Sequence, residues 1–571
     1  MHRSNLSRTA LHRRRLVQAL ALALIASTAQ AASYTAGTES ELIQAINDAN
    51  ANAGADVIVL TADIALSAAL PPITDALTLH GSGGGRTIRR DDTGANACSP
   101  TAANAFRLLD ASADLTLTDL TLTGGCNLVD QGGALRVQGA NLTVERSTIS
   151  GNRSFVENPG HDYGAAIGGG VAVLFGSISV TDSEISSNAS HGYLAGGGGI
   201  GAYQSSVELT RSTISGNRSE GPNPFGPGVY AIGDYVGGVA GTLTIADCTI
   251  SDNVSEGDFA YGGGVSAFAE AVTIVDSRIT GNRTGSPSDD GTYARGAGVN
   301  IQNTSSGADT RIERTLISGN AVTATFGFGG GVRAGGGTFT LVDSAVAGNT
   351  VDTQSKARAG GLFLETTQAK LVNSTVSGNR ISGPVNEGGG GIMLLSEGSD
   401  STSLALFSST VTNNESLNTN SASAGILFKR EDDASVEPTA LIESSIVAGN
   451  RGRNGFEEIG VASPPSTSPT IVANHALFQG GINIGGGTFT FDTTTLSLWN
   501  QDPQLLPLAL NGGTIPTHAL APTSPAIDRG SNPDALAFDQ RGKPYARVVG
   551  AAADIGAYEF DADHLFGSGF D

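Results

Sequence analysis

Leu142-Thr-Val-Glu-Arg-Ser-Thr-Ile-Ser-Gly-Asn152 is one copy of a phrase that the chain repeats. Ile178 to Asn188 reads ISVTDSEISSN, Val207 to Asn217 reads VELTRSTISGN, Leu243 to Asn253 reads LTIADCTISDN, and Val272 to Asn282 reads VTIVDSRITGN. Further copies close at Asn320, Asn349, Asn379, Asn414 and Asn450, and successive closing asparagines lie 29 to 38 residues apart. A period of this size with local insertions is the signature of a solenoid.

Within each copy the apolar residues alternate. Leu243 and Ile245 face one way, the parity shifts, and Cys248 and Ile250 face inward again. Period two means strands, here only three to five residues long. A Gly-Gly-apolar phrase follows most closing asparagines, as at Gly169-Gly170-Val171 and Gly263-Gly264-Val265, and the length variation falls between the Asn and that phrase. Short strands recurring once per coil pair in parallel with their copies in adjacent coils. The expected fold is therefore all-β, a right-handed parallel β-helix in which each coil contacts mainly its neighbours.

Stacking at about 4.8 Å per coil turns equivalent residues into ladders. Asn152, Asn188, Asn217, Asn253, Asn282, Asn320, Asn349, Asn379, Asn414 and Asn450 are expected to form an amide ladder, with the Asn itself in the left-handed turn conformation that a short amide tolerates. Ile149, Ile185, Ile214, Ile250, Ile279 and Ile317, continued by Val346, Val376, Val411 and Val447, form an aliphatic ladder. Cys248 replaces a residue in a Ser/Thr row two positions earlier. The residue before that row alternates in charge (Arg146, Asp182, Arg211, Asp247, Asp276, Arg314, Asp343), which suits attraction between adjacent strands.

The 571 residues include 79 Gly and one Trp, and the formal charge is -22. Residues 1–31 carry five Arg and no acid, so removing them leaves -27. Such a charge argues against nucleic acid and anionic membrane surfaces as partners. Arg13-Arg14-Arg15, the apolar run Leu16 to Ile25 and Ala29-Gln30-Ala31 read together as a secretory signal peptide, too short for a membrane span. Export implies a secreted or cell-surface location. Thr38-Glu-Ser-Glu41 is a capping box that opens a helix whose apolar face is Leu42, Ile43, Ile46 and Ala49, fit to cover the first coil of a body spanning residues 32–498. Cys98 and Cys126 lie 28 residues apart, close to one coil, and an exported chain permits their disulfide, leaving Cys248 free.

Past Asn454 the repeat decays and the composition changes. Asp502-Pro-Gln-Leu505, Asn511-Gly-Gly-Thr514, Pro516-Thr-His-Ala-Leu520, Ser524-Pro-Ala-Ile-Asp-Arg-Gly530, Asp539-Gln-Arg-Gly542 and Asp554-Ile-Gly-Ala-Tyr-Glu559 follow in close order. This ordered set resembles the choice-of-anchor Q domain, a C-terminal module found after parallel β-helix repeats in secreted bacterial proteins. The resemblance covers residues 499–560, and the repeats resemble the β-helix of the same family. It implies an exported, surface-associated protein whose last residues vary with the anchoring system. Many relatives carry cysteines in this module; this chain has none there, so packing must hold it. The tail, residues 561–571, has no apolar span and no sortase-type motif, and looks like a short Phe-Gly-Phe-acid ending seen on some exported Gram-negative proteins.

β-helices also host polysaccharide lyases and hydrolases. The chain lacks the Asn-Thr-Asp and Gly-His-Gly of polygalacturonase-like enzymes and the Arg-x-Pro-x-x-Arg of pectate-lyase-like ones, and its Arg541-Gly-Lys543 falls in the C-terminal module. No Cys/His spacing suits zinc and no phosphate loop is present, so no cofactor is expected beyond adventitious calcium on loop carboxylates. The expected function is noncatalytic binding or adhesion to polysaccharide or cell-surface glycan by a monomer. A divergent polysaccharide lyase or glycoside hydrolase and a structural stalk are the alternatives, and no catalytic residue is assigned. The variable segments gather aromatic rings beside carboxylates: Tyr163, Tyr193, Tyr235, Asp258, Tyr261 and Tyr293 are the candidate binding residues, along one flank of the solenoid.

Overall fold

The computed structural model describes residues 30–562 apart from 95–96, 157–164, 234–240, 287–290, 304–306, 401, 417–422, 432–434, 454, 463–468 and 484–496. Residues 1–29, which hold most of the expected signal peptide, and residues 563–571 of the tail therefore lie outside the described residues. The chain is a right-handed parallel β-helix. Among the described residues, two sheets have 15 strands each and a third has 30. Pairing between successive coils is parallel, in uninterrupted register from Leu142 through Ile178, Val207, Leu243 and Val272 in the first sheet, while Arg451–Gly452 pairs antiparallel with Gly455–Ala462.

The core runs along the solenoid axis. Leu142 and Val144 from the first sheet, Ile149 from the second, and Leu135 and Val137 from the third are all buried in one cluster that continues from Ala36 to Phe478. At about 25 cal/mol per Å² of apolar surface removed from water, this cluster is the main stabilising element. The helix Glu39–Ala51 closes its first coil with Leu42, Ala45, Ile46 and Ala49 buried. Ile43 is only partly buried against that cluster, one step round from the face expected of it.

Each ladder Asn is fully buried, and those from Asn152 to Asn414 make the same bonds to the next Asn. Asn282, for example, donates its backbone N–H and its Nδ2 to Asn320 Oδ1 (both 3.0 Å) and a second Nδ2 hydrogen to the Ile250 carbonyl (3.0 Å). The left-handed turn residue is not the Asn. It is the residue before it, as at Gly151, Ser187, Gly216, Asp252 and Gly281. With the strain placed on a neighbour, often Gly, the Asn side chain can point into the interior and satisfy the coil below. A second set of left-handed residues comprises Arg146, Asp182, Arg211, Asp247, Asp276, Arg314 and Asp343, which explains the parity shift between the first two sheets. Arg146 pairs with Asp119 (2.9 Å), Arg211 with Asp182 (2.7 Å) and Arg314 with Asp276 (2.6 Å), each on an exposed edge where such pairs contribute little. In the Ser/Thr row, Ser212 N–H donates to Cys248 Sγ (3.4 Å) and Cys248 N–H to Ser277 Oγ (3.0 Å), so the sulfur keeps the row continuous. Cys98 and Cys126 are disulfide-bonded, with Cα atoms 5.5 Å apart.

Among the described residues the last strand of the second sheet is Leu498–Trp499. The remaining segment folds back along the outer face of that sheet. His518 Nε2 meets Ser377 Oγ (2.8 Å), Gln540 Oε1 accepts from Thr375 Oγ1 (2.6 Å), and Ala557 N–H donates to Thr410 Oγ1 (3.1 Å). Outward positions that are exposed in early coils, such as Thr213 and Arg278, are therefore buried at Ala345, Thr375, Thr410 and Ile446. Ile446, Ala448 and Leu477 join Leu520, Ala526, Ile555 and Tyr558 in a separate apolar cluster.

Carboxylates staple this cysteine-free segment. Asp554 accepts from the N–H groups of Asp528 (2.8 Å) and Phe560 (2.6 Å), Glu559 from those of Val549 (2.9 Å) and Asp554 (2.8 Å), and Asp539 from that of Glu559 (2.8 Å). Arg541 pairs with Asp539 (2.6 Å) between the rings of Tyr545 and Tyr558, 3.8 and 3.9 Å from their centroids. It is thus a packing residue of this segment.

Candidate functional site: a cavity between a fin and the third sheet

The variable segments are not loops over most of their described length. Several contribute two short strands, such as Ala189–Gly192 with Leu194–Gly196 and Val254–Glu256 with Phe259–Tyr261, and two contribute one long strand, Ala321–Phe328 and Thr350–Arg358; these stack coil on coil into a fin projecting from the third sheet. The fin is held by a thin interior of small groups. Ser190 Oγ bonds Ser219 Oγ (3.0 Å), Ser255 Oγ donates to the Pro224 carbonyl (3.3 Å), and Ala260, Ala294, Val322, Val351, Ala357 and Ile381 form an apolar continuation. One outer face is charged, with Arg218 bridging Glu220 (2.6 Å) and Glu256 (2.8 Å). Phe155 and His191 share that face, 5.3 Å apart, and the other face carries the longer ring columns.

Register decides what those rings can do. Phe225, Tyr261, Arg295, Phe328 and Arg358 are successive partners in adjacent coils. Phe225 and Tyr261 stack at 5.0 Å and 6°, and Arg295 lies over both Tyr261 (5.8 Å) and Phe328 (5.3 Å). Beside this column, Phe259, Tyr293 and Phe326 stack at 5.5 and 4.5 Å. The candidate residues Tyr261 and Tyr293 thus turn their faces to other side chains along the axis, which leaves ring edges rather than faces for a ligand. Tyr193 sits at the outer turn of the fin, 56% exposed, and Asp258 is exposed at the equivalent turn. Tyr163 and Tyr235 lie outside the described residues. Of the four described candidates, Tyr261 and Tyr293 thus stand within the stacked columns and Tyr193 and Asp258 at the outer turns.

A site does form where the columns are interrupted. Gly196 stands in the fin column before Phe225, and Gly201 stands before Tyr230 in the outward column of the third sheet. A Cβ at Gly196 would collide with the Tyr230 ring, and one at Gly201 with Ile167. Without those side chains, Tyr230 lies over the fin backbone and becomes the floor of a cavity of about 590 Å³. Leu174, Leu194, Ile167 and Ile232 complete the apolar lining; Phe175, Tyr203, Gln131, Gln138, Gln204 and Arg136 supply rings, amides and one guanidinium. This mixture of apolar walls and a few polar groups is typical of small-molecule sites.

The rim is strained. Phe175 (φ 60°) and Gln204 (φ 48°) occupy a turn position where the equivalent coils place Gly139 (φ 72°) and Gly336 (φ 75°). A left-handed conformation costs a non-glycine residue about 1–2 kcal/mol. Phe175 nevertheless remains 51% exposed, set edge-on to Tyr203 at 5.6 Å. Arg136 is held by Asp110 (2.9 Å) and Asp130 (2.5 Å), and Asp130 is also paired with Arg107. The single charge in the lining is thus compensated.

Farther along the same face three more basic groups are paired with carboxylates. Arg333 pairs with Glu365, Arg358 with Glu387 (2.5 Å) and Glu431 (2.6 Å), and Lys429 with Glu387 (2.8 Å). Burial acts to raise the Glu387 carboxyl, but Arg358, Lys356 and Lys429 outweigh it and hold it at about 2. Among the described residues no group of three or more His, Cys, Asp or Glu side chains is arranged to hold a metal ion, and no helix is long and apolar enough to cross a membrane.

The cavity residues were missed in the sequence because the signal was two absent side chains, Gly196 and Gly201, in a Gly-rich chain. Residues 101–286, which contain the cavity, are similar to the family model described as a right handed beta helix region. No curated protein and no solved structure matches the chain significantly.

Proposed function

We propose that this chain is an exported, monomeric, noncatalytic glycan-binding β-helix protein, and that the cavity over Tyr230 holds the sugar. The observation that carries the reading is the lining: three rings, three glutamines and a compensated arginine around about 590 Å³. Ring faces suit the apolar faces of sugars, and amides both donate to and accept from hydroxyls. The strained exposed Phe175 fits a side chain kept for contact rather than for packing. The paired state of the nearby cations fits binding better than proton abstraction, which needs a base freed from carboxylates. Export and surface association rest on the reading of residues 1–31 and on the anchor-like residues 499–560.

The test is titration of the mature chain against immobilised polysaccharides and a glycan array. Tyr203→Ala and Phe175→Gly should each weaken binding at least tenfold with circular dichroism unchanged. Undiminished binding by both variants would move the site. Release of reducing ends or unsaturated products from the same polysaccharides would replace binding with catalysis.

A further inference from the structure

Both ends of the cavity along the solenoid axis are closed by side chains. Toward the first coils stands the four-membered ion cluster of Arg107, Asp110, Asp130 and Arg136, with Arg107–Asp110 at 3.1 Å and Arg136–Asp110 at 2.9 Å. Asn127 Nδ2 donates to Asp130 Oδ1 (2.6 Å), and Asn127 follows the disulfide-bonded Cys126 directly, so this end wall is tied to the covalent link. The preceding coil has no returning fin strand: Gly132 N–H donates to the Ile167 carbonyl (2.9 Å), and the fin wall begins with Ala165–Ile167. Toward the later coils the corner is filled by Phe225 stacked on Tyr230 at 5.1 Å, with Phe268 6.1 Å from Phe225. Beyond it the ring and guanidinium column continues without a gap to Arg358.

A through-groove would accept the interior of a polymer lying along the axis. A pocket stopped at both ends accepts a chain terminus. Its polar groups are amides and one guanidinium already neutralised by two aspartates, in a chain of formal charge -22. An anionic sugar would enter a site without a spare cation and would lose hydration without a compensating ion pair. We infer that the cavity is an end pocket that takes the terminal units of an uncharged glycan and discriminates against both uronates and chain interiors. This inference rests on the glycan-binding reading.

Cellohexaose, xylohexaose, mannohexaose and hexagalacturonate, each with its parent polymer, are titrated by calorimetry into the mature chain. The expected result is that a neutral hexasaccharide binds at least tenfold more tightly than hexagalacturonate, with polymer capacity scaling with the number of chain ends rather than rings. Gln138→Trp, which places a ring across the mouth from an exposed position, should abolish this binding. Gln204→Gly, which relieves a left-handed residue, should weaken it while leaving the melting temperature equal or higher. Capacity that scales with ring number, or hexagalacturonate binding as tightly as the neutral probes, would overturn the end pocket while leaving glycan binding intact. No binding to any probe would overturn both readings.

Discussion

The asparagine ladder ends on a carboxyl group: Asn450 donates its Nδ2 to Glu458 Oε2 at 2.6 Å, and its backbone N–H reaches the same oxygen at 3.3 Å. Burial pushes the Glu458 carboxyl up to about 7, only partly offset by the bonds from Asn450. The terminal acceptor of a neutral ladder is thus a group that resists ionisation in place.

Glu458 makes stability depend on pH. Its folded value lies above the ordinary carboxylate range, so its contribution is complete below about pH 4.5 and is lost as pH rises to about 7. A change of that size corresponds to about 3 kcal/mol. Asp343 and Glu559, raised by burial to about 6 and about 7, act with the same sign. Glu458→Gln keeps an oxygen acceptor for Asn450 and should flatten, without abolishing, the decline in melting temperature between pH 4.5 and 7. An unaltered slope in thermal melts would remove Glu458 from this role.

An interior rung should cost more than a surface polar group. Asn282→Leu would leave the Ile250 carbonyl without its Asn282 partner, and would leave the Asn253 N–H and amide without their shared acceptor, all buried. We expect a loss of about 3 kcal/mol or more, read from denaturant midpoints if unfolding is reversible.

Gln540 joins the C-terminal segment to the solenoid. It accepts from Thr375 Oγ1 and donates to the Ser344 carbonyl (3.1 Å) across sequence gaps of 165 and 196 residues. Gln540→Ala should loosen docking by about 2 kcal/mol. Amide exchange should accelerate across residues 500–560 and remain unchanged in the strand Asn141–Glu145.

Thiol chemistry separates the three cysteines. Cys98 and Cys126 are bonded and Cys248 is buried, with its thiol raised by that burial. Alkylation without reduction should label no cysteine in the folded protein and one, Cys248, after denaturation. Mass spectrometry that found three labelled thiols would contradict the disulfide.

How much was legible follows from where each signal resides. Ile149, Ile185 and Ile214 announce a stacked strand because the coil repeats the same local problem, and period-two alternation reports the buried face directly. Two details escaped that reading. The left-handed residue is Gly151 rather than Asn152, because the amide must face inward. The fin strands resembled loops, because a sandwich lined by Ser190, Ala195 and Ser219 buries too little apolar surface to show a pattern.

By itself, then, the sequence determined the coil, its ladders and the capping helix, since all depend on residues within one period or on identical residues one period away. The tertiary structure alone decided the rest. It turned the faces of Tyr261 and Tyr293 toward neighbouring side chains, because register places ring against ring. It opened a cavity at Gly196 and Gly201, because a missing side chain matters only relative to what stands beside it in the next coil. It laid Gln540 on Thr375, because a contact between residues so far apart in sequence depends on how the finished solenoid presents its face, and no local pattern encodes that.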